Sequence, residues 1–125
     1  MADLGELEAV IMDQLWDAGE ALTVRELLGR LPRKRPPAYT TVLTVCQNLE
    51  RKGLLSHEAD GLAYRYSPVH SRDEHTAQLI NTALGADGHR EAALLTFVEQ
   101  LSDTETDALR SALTRARRAR RQKAT

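Results

Sequence analysis

Tyr39-Thr40-Thr41-Val42-Leu43-Thr44-Val45-Cys46-Gln47-Asn48-Leu49-Glu50-Arg51-Lys52-Gly53 is the most informative segment of the chain. Val42, Val45 and Leu49 recur at i, i+3 and i+7, the spacing of one buried face on a helix. Gly53 closes that helix as a C-terminal glycine does. The remaining positions hold Thr40, Thr41, Leu43, Thr44, Gln47, Asn48 and Arg51. A solvated helix is ordinarily filled with Glu and Lys, whereas threonine is a poor helix former. Such residues make sense on a face that enters a DNA major groove. Thr hydroxyls and Asn and Gln amides can bond base edges, and Thr and Leu methyls can pack on the thymine methyl. The competing reading is a buried helix whose threonines bond their own backbone.

Moving upstream, Pro36-Pro37 prevents an early start of this helix, and Pro32 stops the one before it. Between them lies the basic cluster Arg33-Lys34-Arg35. A second helix is expected over 24–31, with Thr23 as its cap and Glu26 three residues on. Ala21-Leu22-Thr23 reads as a short extended connection. The first helix, 4–16, carries Leu4, Leu7, Val10, Ile11, Leu15 and Trp16 as one stripe, with Asp3 as cap, Glu6 three residues later and Gly19 as its end.

Downstream the period changes. Residues 54–58 and 62–67 are two extended runs around Ala59-Asp60-Gly61. Arg65 lies between Tyr64 and Tyr66, so strand alternation turns it away from the tyrosines, onto a side that suits a phosphate contact or an ordinary surface arginine. Three helices and a hairpin within about 70 residues form a winged helix-turn-helix in a mainly α protein. Residues 1–70 are expected to be the DNA-binding domain and residues 71–125 a helical dimerisation domain. The latter holds helices over 72–84 and 90–101 and a last helix capped by Ser102. Ile80, Leu84, Leu94, Phe97, Val98, Leu101, Leu109 and Leu113 form apolar stripes there. A segment this short can hardly bury them alone, which points to an isologous homodimer.

The composition is that of a globular chain, 42% hydrophobic and 28% charged, with a net charge of −1 that says nothing of nucleic acid. The distribution says more. Arg30, Arg33, Lys34, Arg35, Arg51 and Lys52 stand against Glu50 alone between residues 30 and 52. A second basic run, 115–123, ends the chain. Cys46 is the single cysteine and reads as packing. His57, His70, His75 and His89 lack ligand spacing, so no metal and no cofactor are expected. There is no phosphate loop or nucleophile pattern, hence no enzyme. No apolar run reaches the roughly 20 residues of a membrane span, and the acidic N-terminus is unlike a signal peptide. A cytoplasmic protein without direct membrane insertion is expected. The alternative to a DNA-binding repressor is a winged-helix module for protein–protein contacts, and a small enzyme would need a concave polar pocket.

The chain resembles the penicillinase repressor (BlaI/MecI) family of bacterial transcriptional regulators. The resemblance runs from about Leu7 to Leu113. It rests on Glu8-Ala9-Val10-Ile11-Met12 with Trp16, and on Tyr39-Thr40-Thr41-Val42 and Thr44 with Leu49-Lys52-Gly53-Leu54. Tyr64-Arg65-Tyr66-Ser67-Pro68, Leu95-Thr96-Phe97-Val98-Glu99 and Leu101-Ser102-Asp103-Glu105 complete it. The resemblance implies a homodimer whose winged helix binds double-stranded palindromic operators with TACA/TGTA-type half-sites. It also implies release through a membrane sensor metalloprotease, with a cut before the phenylalanine of Thr96-Phe97. The β-lactam-resistance branch has asparagine where this chain has Thr96. Copper-sensing relatives carry clustered C-terminal cysteines, which this chain lacks.

Overall fold

The computed structural model describes residues 4–86 and 88–124. In chain order it runs α1 (Glu6–Ala18), β1 (Leu22–Thr23), α2 (Val24–Arg30), α3 (Tyr39–Arg51), β2 (Leu55–Asp60), β3 (Ala63–Pro68), α4 (Arg72–Leu84), α5 (Arg90–Glu99) and α6 (Asp103–Ala124). The chain divides into two compact units, Met1–Leu79 and Ile80–Thr125.

In the first unit, the connection at Leu22–Thr23 is drawn into a three-stranded antiparallel sheet of order β1-β3-β2. Leu22 pairs with Tyr66 and Thr23 with Arg65. On the other side of β3 the register runs from Leu55–Pro68 to Asp60–Ala63. That pairing leaves Gly61 and Leu62 as a two-residue turn, with Gly61 at φ +63, a conformation glycine adopts without steric cost. Leu62, expected at the start of a strand, is instead fully exposed at the tip.

The core is aliphatic. Ile11, Met12 and Leu15 of α1 meet Val24 and Leu27 of α2, Val42, Cys46 and Leu49 of α3, and Leu22, Leu55 and Tyr66 of the sheet. The buried stripe of α3 is therefore Val42, Cys46 and Leu49, at i, i+4 and i+7. Val45, expected on that stripe, is only half-buried. Both spacings fit a helical period of 3.6, and the direction of approach of α1 and the sheet selects the second. Removing a side chain such as Leu49, which is 0% exposed, costs about 2–5 kcal/mol at such sites.

Local capping sets the element ends. Thr23 and Glu26 form a reciprocal capping box, with Glu26 N–H donating to Thr23 Oγ1 at 3.1 Å and Thr23 N–H donating to Glu26 Oε1 at 2.9 Å. Ser102 and Glu105 repeat it at α6, at 3.1 and 3.0 Å. At α1 the expectation was displaced. Asp3 lies outside the described residues, the cap position is Gly5, and the carboxylate of Glu8 takes the Gly5 N–H at 2.8 Å.

The first unit continues past the hairpin into α4. Trp16 Nε1 donates to the carbonyl of His70 at 2.9 Å. Arg72 donates to Asp17 at 2.9 Å and lies 5.4 Å over the Trp16 ring. His75 is buried with its ring centroid 5.4 Å from that of Trp16.

The second unit is different in kind. Arg90 closes the turn before α5 by donating to the Gly85 carbonyl at 2.6 Å and to Asn81 Oδ1 at 2.7 Å. No described residue of α5 or α6 is buried. Phe97 is 53% exposed, Ile80 and Leu113 each 50%, and Leu94 42%. Leu84, Val98, Leu101 and Leu109 are half-buried. Leu95, outside the expected stripes, is also exposed.

Candidate nucleic-acid interface

The same 3.6-residue period that buries Val42, Cys46 and Leu49 sets the opposite face of α3. Thr40, Thr44, Gln47 and Arg51 fall at i, i+4, i+7 and i+11, and all four are exposed. Thr41 and Asn48 flank this stripe on one side and Leu43 on the other; Thr41 is exposed, and Asn48 and Leu43 are half-buried. Four exposed residues thus offer hydroxyl, amide and guanidinium groups along one line. Cys46 is buried and free, and burial pushes its thiol up to about 12. A thiol in that state is packing rather than a sensor.

Arg33, Lys34 and Arg35 are exposed in the loop that enters α3. Arg35 has φ +60, the one positive value at a non-glycine residue among those described. Lys52, counted with the basic cluster, has a structural partner. Its Nζ lies 2.9 Å from both carboxylate oxygens of Glu8, which ties the end of α3 to α1. The Gly5 N–H and then Lys52 hold the Glu8 carboxyl below the usual range.

The hairpin meets α3 through Glu50 and His57. His57 Nδ1 lies 2.7 Å from the Glu50 carboxylate, and the His57 ring centroid is 4.5 Å from Tyr64 and 5.7 Å from Tyr66. Tyr66 is buried and Tyr64 half-exposed, so only the inner tyrosine packs on the core.

Arg65 lies on the other side of β3, where Nε and Nη1 are engaged. Nε donates to Asp60 at 2.6 Å, and Nη1 donates to Glu26 at 2.9 Å and to the Ala21 carbonyl at 3.3 Å. Asp60 foremost, and then Glu26, hold the guanidinium in its charged form. Glu26 is simultaneously the capping-box acid of α2, and its carboxyl is lowered first by the Thr23 N–H. One arginine thus joins the wing tip, the central strand and the start of α2.

Between α3 and the hairpin is a cleft of about 530 Å³, bordered by Thr23, Val24 and Arg25, by Tyr39 and Leu43, and by Asp60, Leu62, Ala63 and Tyr64. Arg25, Tyr39 and Leu62 were not legible as site residues. Each carries an unremarkable local signal, and only the fold of the hairpin over α3 makes them neighbours. Among the described residues no three His, Cys, Asp or Glu side chains gather as metal ligands. No described helix is long and apolar enough to cross a membrane.

A three-helix core with a two-stranded wing, whose third helix presents a threonine-rich exposed face, defines a winged-helix transcriptional regulator. A family model described as "Penicillinase repressor" matches residues 4–115. The chain belongs to the penicillinase repressor family, and its relatives are transcriptional regulators, not enzymes. It is 48% identical over 113 residues, covering 88% of this chain and 82% of the other, to "Transcriptional regulator BlaI" of Mycobacterium tuberculosis strain CDC 1551 / Oshkosh. The same figures hold for the protein of that name from strain ATCC 25618 / H37Rv. Among solved structures, a MarR family protein from Bacillus stearothermophilus has a TM-score of 0.50 at 20% identity, covering 94% of this chain and 76% of that one. The complex structure of hsRosR-S1 has a TM-score of 0.52 at 19% identity, covering 86% and 96%. At such identity the likeness is one of fold alone.

Proposed function

We propose that this protein is a dimeric repressor that reads a palindromic operator in duplex DNA with the exposed face of α3. In this reading residues 1–70 contact DNA and residues 71–125 pair two copies. The observation that carries it is the stripe Thr40, Thr44, Gln47 and Arg51, opposite a fully buried one on the same helix. The family resemblance implies half-sites of the TACA/TGTA type, and the hydroxyl, amide and methyl groups of this surface are of the kinds that contact thymine methyls and adenine edges. Thr41, Asn48 and Leu43 extend the reading surface at its flanks. Arg33, Lys34, Arg35 and Arg51 are the backbone contacts, which position the protein without reading sequence.

Release through a membrane sensor metalloprotease would use Thr96-Phe97. Both are exposed, and Thr96 Oγ1 donates to the Ala92 carbonyl at 3.0 Å within α5. Cleavage requires α5 to unwind locally. A ten-residue helix with no buried residue opens at low cost.

The test is Thr44→Ala, with binding measured on the palindrome upstream of the protein's own gene and on random duplex. The expected loss is about 1–3 kcal/mol on the palindrome and little on random DNA. Equal losses on both would remove Thr44 from base reading. Absence of any salt-dependent binding to the palindrome would favour the protein–protein module instead.

A further inference from the structure

The densest positive charge of the chain belongs to α6 and not to the winged-helix unit. Residues 108–125 hold seven cations and no anion, whereas residues 1–107 hold ten cations against eighteen anions. The unit Met1–Leu79 itself holds nine cations against twelve anions. Of those nine, Lys52, Arg65 and Arg72 are paired with carboxylates. A winged-helix unit of net negative charge is poorly endowed for the phosphate-driven part of DNA affinity, which rises with the number of phosphates neutralised.

α6 is helical through Ala124, so these cations are held in a fixed order. Arg110, Arg117 and Arg121 fall at i, i+7 and i+11, a single exposed stripe about 17 Å long. Arg118 lies beside it. Ala108, Leu109, Ala112 and Ala116 occupy the opposite side. Arg120 lies on the other flank of the stripe, with Nε donating to the Ala116 carbonyl at 3.3 Å.

We propose that the arginine stripe of α6 is a second contact for duplex DNA, one that supplies sequence-independent affinity beside the base reading of α3. The proposal rests on the operator-binding reading above for its partner. Charge complementarity selects a polyanion, and the composition selects nucleic acid over lipid. A helix that lies on a membrane presents Trp, Phe and Leu opposite its basic face, whereas this one presents mainly alanine.

The test uses the full-length chain with Arg110, Arg117 and Arg121 replaced together by Gln, and a second variant with Lys at the same positions. Binding is measured against salt on the operator palindrome and on random duplex of equal length, with vesicles of phosphatidylserine and phosphatidylcholine as a third arm. The Gln variant should lower the magnitude of the salt slope by about 1 per contacting arginine on both duplexes. The Lys variant should keep the parental slope. Unchanged slopes for the Gln variant would overturn the proposal. Equal losses for Gln and Lys would also overturn it, by showing that the arginines act through structure. So would an effect confined to vesicles. If the parental protein shows no preference for the palindrome while the Gln variant still loses slope on random duplex, the operator reading fails and this contact stands.

Discussion

Arg65 shows how a residue's chemistry depends on what the fold places around it. On the strand pattern it is a lone cation on the outer side of a wing, and a phosphate is the natural partner. In the structure Asp60 and Glu26 already hold it, which makes it the brace of the wing tip against α2. Removing an acid from a protein that binds a polyanion ordinarily strengthens binding. Here Asp60→Asn should instead weaken operator binding severalfold, because the wing loses its anchor. Arg65→Gln should weaken it as well, with the salt slope unchanged. Gel-shift titrations across a salt series check both, and a slope that falls by about 1 in Arg65→Gln would return this side chain to the phosphates. Cys46 is the opposite case. Its neighbours in sequence suggested packing, and burial among Val42, Leu49 and Tyr66 is what the structure has.

At the scale of elements, the helix starts share one device. Glu8, Glu26, Glu74 and Glu105 each accept a backbone N–H at a helix N-terminus, from Gly5, Thr23, Ser71 and Ser102. That bond is the leading cause that lowers each carboxyl from its ordinary value. A folded-state value below the unfolded one means stability that is present above the ordinary glutamate range, near 4.3. It is lost as pH falls below that range and through the folded values. Acid unfolding followed by circular dichroism should therefore begin below about pH 4.3, and Glu26→Gln should reduce the steepness of the loss. Thr23→Ala should cost about 1 kcal/mol in urea unfolding at neutral pH. An unaltered midpoint would show that α2 is held by its packing alone. These capping pairs were legible at α2 and α6 because Thr-x-x-Glu and Ser-x-x-Glu are local codes. At α1 the code was ambiguous, since Asp3 with Glu6 and Gly5 with Glu8 have the same spacing.

For the whole molecule, the contrast between the two units is the informative feature. Among its described residues the first has a closed core of thirteen buried apolar side chains. The second has none in α5 or α6, yet exposes Leu94, Leu95, Phe97 and Leu113. Apolar area of this kind is what a second copy would cover, and folding of the segment would then be coupled to association. Leu109→Asp should give monomers that keep a folded winged helix and bind the palindrome far more weakly. Light scattering and circular dichroism of that variant check the two halves of the statement. A monomer at micromolar concentration for the unmodified protein would sink the dimer.

Local signals along the chain suffice for the winged helix. Periodicity, prolines, Gly53 at φ +82 and the turn at Gly61 are local signals, and each element answers to its own residues. The sequence narrowed the outward side of α3 to within one position, because one period sets both faces of a helix. That Cys46 and not Val45 completes the buried stripe follows from packing, since the approach of α1 and the sheet selects between two positions that the period allows. Only the tertiary structure brought Glu26 and Asp60 to Arg65 and Glu8 to Lys52. Glu26 and Glu8 lie 39 and 44 residues from their partners, and Asp60, though five residues from Arg65, meets it through the hairpin register; ion pairing depends on distance in space, which a run of sequence does not state.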